Sequence, residues 1–139
     1  MILTFVVPNT LRPVGGVRMI YEFANSMSLR GHTVHLVHFF DLGDPVKSAD
    51  DLAFFGFDPR VQHRIVAELS PEALPDADAV FWMTVDSGQE PRIGLPVGLI
   101  QGYLVFTEWI EQRAFTLPGA KICIARWLLD VGAEMGVLG

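Results

Sequence analysis

The chain of 139 residues has the length of one domain, half of its residues are apolar and only 19% are charged, which places it with folded globular proteins and away from disordered compositions. A formal net charge of -6 offers no basic surface for a phosphate backbone, so nucleic acid is excluded as an expected partner. The single cysteine, Cys123, has no internal disulfide partner, and its apolar setting from Ile122 to Ala125 predicts a buried, inert thiol.

Ile2 to Val7 is apolar and rich in β-formers, and Pro8-Asn9-Thr10 closes it, which predicts a strand buried on both faces. With no basic segment ahead of it and no small-residue cleavage site after it, the run reads as a strand and not as a signal peptide. A loop through Pro13, Gly15 and Gly16 follows, and then Val17, Ile20, Tyr21, Ala24 and Met27 recur at the spacing of an amphipathic helix that Gly31 ends. Thr33 to Phe39 is a second strand, so the first forty residues form a right-handed parallel βαβ crossover.

From Asp41 to Pro59 no sustained period appears, although Leu52, Phe54, Phe55 and Phe57 require packing partners. Val61 to Val66, Ala79 to Met83, Val97 to Gln101 and Lys121 to Ala125 read as the third to sixth strands. Asp86 to Arg92 reads as one polar helical turn, Thr107 to Phe115 as a helix capped by Thr107, and Arg126 to Met135 as a last helix ended by Gly136. The expected fold is a Rossmann-like α/β domain, an open, mostly parallel sheet with helices on both faces, spanning residues 1–139. Pro96, Gly94, Gly98, Gln101 and Gly102 interrupt the apolar stretch from Ile93 to Phe106, so no window reaches the ~18 apolar residues of a membrane span. A soluble, cytoplasmic protein is expected.

In such a sheet the ligand crevice lies beyond the carboxyl ends of the strands, here the loops after Val7, Met83, Gln101 and Ala125. The first, Pro13-Val14-Gly15-Gly16-Val17-Arg18, brings an uncapped helix start to that edge. The helix dipole suits a phosphate oxygen there, and glycine permits its close approach. A tight strand-to-helix turn is the alternative, and the three-glycine dinucleotide fingerprint and the P-loop Lys-Ser/Thr are both missing. Gln101-Gly102-Tyr103 would add an amide and a phenol suited to sugar hydroxyls, unless Tyr103 packs with Phe106 and Trp109 as core. His32, His35 and His38 straddle a loop and a strand, where alternation sends His35 and His38 to opposite faces, so structural roles are expected and not a metal site. The paired carboxylates Asp76 and Asp78, Asp41 and Asp44, and Glu108 and Glu111 read as solvated surface.

Gly15-Gly16-Val17-Arg18, the helix through Tyr21-Glu22-Phe23-Ala24-Asn25, and Leu29-Arg30-Gly31-His32-Thr33-Val34-His35-Leu36-Val37 together resemble the group 1, or family 4, retaining glycosyltransferases of the GT-B fold. Ala77-Asp78-Ala79-Val80, Gln101-Gly102-Tyr103 and Cys123 to Leu129 extend the resemblance over nearly the whole chain. Two Rossmann-like domains face each other across a cleft in that family, the N-terminal one binding the acceptor and the C-terminal one the nucleotide sugar. The resemblance therefore implies an acceptor-side domain, with Gly15 and Gly16 towards the donor phosphates and Arg18, Gln101 and Tyr103 towards the acceptor. Gln101 stands where many members carry histidine, and Ala125 where serine is usual. The family's pair of donor-binding glutamates has no counterpart before Gly139.

The implied reaction moves a glycosyl group from a nucleotide sugar to an acceptor hydroxyl with retention, with this domain inactive alone. The implied partners are an acceptor saccharide or glycolipid and, with a donor-binding domain, the nucleotide sugar. The resemblance further implies self-association through the exposed cleft face and, for the full-length protein, a peripheral place at the inner face of the membrane. Two alternatives stand beside this reading: a non-catalytic subunit docking to a separate donor-binding chain, and a small flavodoxin-like nucleotide-binding module.

Overall fold

Ile2–Asn9 forms β1, buried at every residue after Ile2, because it is flanked on both sides by parallel partners. They are β2 (Thr33–Asp41) and β4 (Ala79–Trp82). The computed structural model describes residues 1–13, 15–41, 43–68, 70–82, 94–100, 119–123 and 125–134. β3 (Gln62–Ile65) pairs with β2, β5 (Leu95–Ile100) with β4, and β6 (Ala120–Cys123) with β5, each parallel. The sheet order is β3-β2-β1-β4-β5-β6, the Rossmann-like α/β arrangement the alternating pattern predicts. The turn expected at Asp86–Arg92 and the helix expected at Thr107–Phe115 lie outside the described residues.

Strand alternation divides the core. On one face Leu3, Phe5 and Val7 join Val34, Leu36, Val97 and Leu99 against α1 (Gly15–Leu29), which contributes Val17, Ile20, Tyr21 and Ala24. On the other face Val6, Val37, Val80 and Trp82 pack with Leu74 and Ala77. Each Val, Leu, Ile or Phe side chain among these taken out of water is worth about 1.5–3 kcal/mol.

The end of α1 is set by Gly31, whose φ of 89° is left-handed. The Gly31 N–H donates to the Ser28 carbonyl at 2.9 Å and the His32 N–H to the Met27 carbonyl at 3.1 Å, the paired bonds of a Schellman stop. The segment between β2 and β3, aperiodic in sequence, holds a 3-10 helix at Ala49–Phe55. Leu52 there is buried, while Phe55 and Phe57 close edge-on over Tyr21. A second helix, α2 (Arg126–Glu134), follows β6 and buries Leu128. Among the described residues no helix is long and apolar enough to cross a membrane.

Candidate functional site at the carboxyl edge

The chain leaves β1 towards β2 on one side and has β4 on the other, so the strand order reverses at β1. In open α/β sheets the crevice forms at that reversal, beyond the carboxyl ends of the strands. The loop leaving β1 enters α1 at this edge. Gly15 and Gly16 occupy the first turn of α1, which carries no acidic residue. Gly15 is exposed, and a Cβ added to it would meet nothing within 4 Å. Its backbone is helical and not left-handed, and the open space around it leaves an approach to the positive end of the helix dipole.

Arg18 lies in the same turn, exposed, and makes no ion pair among the described residues. Gln101 and Tyr103 lie outside the described residues. β5 ends at Ile100, on the same edge and two strands from β1. The site that can be built from the described residues is therefore the α1 turn and its support.

That support was not read from the sequence. Asn9 ends β1 on the face of Leu3, Phe5 and Val7, and its carboxamide reaches the loop after β2. Its Oδ1 accepts from the Val46 N–H at 2.7 Å, and its Nδ2 donates to the Val46 carbonyl at 3.2 Å. The Leu11 N–H donates to the Asp44 carbonyl at 2.8 Å. Thr10 Oγ1 accepts from the Arg12 N–H at 3.1 Å and lies 3.5 Å from the Gly43 carbonyl. Arg12 also meets Asp44 at 3.0 Å, an exposed ion pair worth at most about 1 kcal/mol. Two loops are thus joined into one rim beside the α1 turn. The available signal was parity, since Asn9 continues the inward series of β1 as a polar residue that must find a partner.

The carboxylates expected to be solvated are in part structural. Besides Asp44, Asp78 Oδ2 accepts from the Ile2 N–H at 2.7 Å, the Asp78 N–H donates to the Ile2 carbonyl, and the Leu95 N–H donates to the Asp78 carbonyl. These bonds tie β1, β4 and β5 at the amino edge, away from the crevice. Cys123 corrects another expectation: it is only partly buried, because β6 is an edge strand that leaves one side open. Partial burial still pushes its thiol above the ordinary value, against nucleophilic use.

His35 and His38 do fall on opposite faces, His35 opposite Thr4 and His38 opposite Val7. The second ring carries a feature the sequence did not show. His38 is fully buried, and its Nε2 lies 3.2 Å from Nδ1 of His63. Burial, and then the neighbouring His63, push His38 down to about 3, and burial also lowers His63. The Tyr21 hydroxyl and His38 Nδ1 are buried without a hydrogen-bond partner among the described residues, and burial raises the phenol to about 12.

Comparison of the chain with protein-family models, with curated proteins and with solved structures finds no match.

Proposed function

We propose that this domain is the acceptor-side half of a retaining GT-B glycosyltransferase, acting with a facing domain that holds a nucleotide sugar. The observation that carries the reading is Gly15, a glycine that neither backbone nor packing requires, in the first turn of the helix that opens at the strand-order reversal. The motif resemblance from Gly15 to Val37 supplies the reaction class. Gly15 and Gly16 present the positive end of α1 to the donor diphosphate across the cleft, stabilising charge that grows on the leaving group. Arg18 orients the acceptor, a saccharide or glycolipid, so that its hydroxyl meets the anomeric carbon; catalysis here is positioning plus electrostatics. Gln101 and Tyr103 complete the acceptor side in this proposal.

The test uses the chain as it stands. Glycan and glycolipid array binding is expected to give a saccharide signal. Arg18→Ala should weaken it about tenfold, or ~1.4 kcal/mol, with the thermal midpoint unchanged because Arg18 is exposed. Calorimetry with UDP, GDP and FMN is expected to show no tight binding. Tight binding of FMN or of a free nucleotide to this domain would replace the reading with a nucleotide-binding module, and an array without any signal would remove the acceptor role.

A further inference from the structure

We propose that the His38–His63 pair is an acid-sensitive clasp that fastens the edge strand β3, with the Ala49–Phe55 cover before it, to the sheet, and that acidification releases this corner. The inference stands apart from the sugar-transfer reading. The two rings stack at 22° with centroids 5.5 Å apart and share one nitrogen-to-nitrogen contact of 3.2 Å. Such a bond needs a proton on one nitrogen and a lone pair on the other. A proton added to the accepting nitrogen removes that lone pair. Shifting the tautomer of His38 to restore it moves the other proton to Nδ1, which is buried and has no partner among the described residues.

Among the described residues, no negative group faces the pair. β1 contributes Val7 opposite His38, and β3 contributes Ile65. α1 contributes Tyr21, whose ring meets His38 edge-on at 6.1 Å and whose phenol stays neutral. The cover and the turn after it contribute Phe55, which packs on Tyr21, and Phe57, which packs on His63 at 4.7 Å. Asp58, next along the turn, is committed to Arg60 through contacts of 3.0 and 2.7 Å. Arg64 and His35 belong to the opposite face by alternation. Among the described residues, then, no carboxylate balances a second proton on the pair.

Both histidines hold their protons less tightly in the closed corner than the ordinary 6.5. As pH falls below 6.5 the opened corner takes up protons that the closed one refuses, so opening becomes more favourable. The limit is about tenfold per pH unit for each histidine, until the closed form itself protonates. The corner is placed to open first. β3 has four mostly exposed residues at the sheet edge. Beyond its ladder to β2, the Val66 N–H donates to the His38 carbonyl at 3.0 Å and Arg64 Nη1 donates to the Ala73 carbonyl at 3.0 Å. Edge elements with so few ties lie at the low end of local stability.

Amide hydrogen exchange of the intact chain, followed by NMR from about pH 7.5 to about pH 5, tests the clasp. Protection at Val66, and at Arg64, whose N–H faces β2 on the same parity, should fall about 5- to 30-fold between about pH 6.5 and about pH 5.5, and vanish at a pH where Val6 and Phe5 of β1 are still protected. His38→Gln and His63→Asn keep a hydrogen-bonding nitrogen without titrating, and each should flatten that slope. His63→Asn, at the less buried ring, answers the question if His38→Gln does not fold. A pH-independent opening at Val66, an unchanged slope in His63→Asn, or loss of β1 and β3 protection at one common pH would each overturn the proposal.

Discussion

Truncating Asn9 to alanine removes both bonds that hold the loop after β2 to the end of β1. Val46 is 1% exposed, so its N–H and carbonyl do not simply exchange the carboxamide for water. A buried backbone group left unpaired costs about 1–3 kcal/mol, which for two groups with partial relaxation predicts a loss of about 2–4 kcal/mol. Against a total stability of about 5–15 kcal/mol for a domain, that is a large fraction. Urea unfolding followed by fluorescence of the buried Trp82 reads it as a lower midpoint at unchanged slope. Asn9→Asp refines the test. Its carboxylate keeps the Val46 N–H but turns a lone pair on the Val46 carbonyl, whereas the protonated acid donates to that carbonyl as the amide does. The folded-state value of this acid is therefore raised, and its stability contribution is present at low pH and lost as pH rises through that value. The variant should be less damaged relative to wild type at about pH 4 than at about pH 7. A loss below about 1 kcal/mol in Asn9→Ala, or a pH-independent loss in Asn9→Asp, would refute the account of the rim.

Gly94→Ala should be costly, because φ is 120° and the new Cβ would lie 2.6 Å from the Ala77 carbonyl oxygen. Backbone strain of about 1–3 kcal/mol corresponds to roughly 4–12 °C in Tm by differential scanning calorimetry, and an unchanged Tm would contradict the close approach of β5 to the start of β4. Gly15→Ala is the counterpart, with a Tm unchanged or slightly raised, since the site is open and helical; a clear fall in Tm would mean that the fold itself requires this glycine. Asp58 is held down to about 2 by its bonds to Arg60, so its contribution is present above 3.8 and lost as pH falls from there towards 2. Asp58→Asn should lower Tm at neutral pH and flatten that acid limb, and an acid limb identical to wild type would show that Asp58 carries none of it.

Legibility in the sequence followed the reach of each interaction. β1, α1 and β2 were readable because period-two and helical spacing are local, and Leu29-Arg30-Gly31 carries its stop signal within three residues. β2 runs two residues past the expected Phe39 because Asn9 extends its pairing to Asp41 across a register shift after Pro8, a long-range effect. β5 begins before Pro96, where a strand interior would reject proline. β6 pairs only from Val97 onward, so the missing Pro96 N–H is not needed on that side. The 3-10 cover was illegible because Leu52, Phe55 and Phe57 answer to Tyr21 and the sheet and not to one another at a helical period. His63 escaped notice for the same reason. Its partner is 25 residues away, and parity shows only that a histidine points inward, never which ring it will meet.

Of the candidate site, the part legible in sequence was the glycine turn, and the part that was not is what fixes the turn in place. A helix start can bind an anion only as well as it is held, because a site that moves by an ångström loses much of its orientation advantage. Here α1 is seated by Val17, Ile20, Tyr21 and Ala24, and the chain leading into it is tied by the inward amide of Asn9 to Val46 and by Leu11 and Arg12 to Asp44. Core and rim therefore share a residue. Damage at Asn9 should lower affinity at the α1 turn and global stability together, whereas damage at Arg18 should lower affinity alone. That difference separates a residue that supports the turn from one proposed to touch a ligand there.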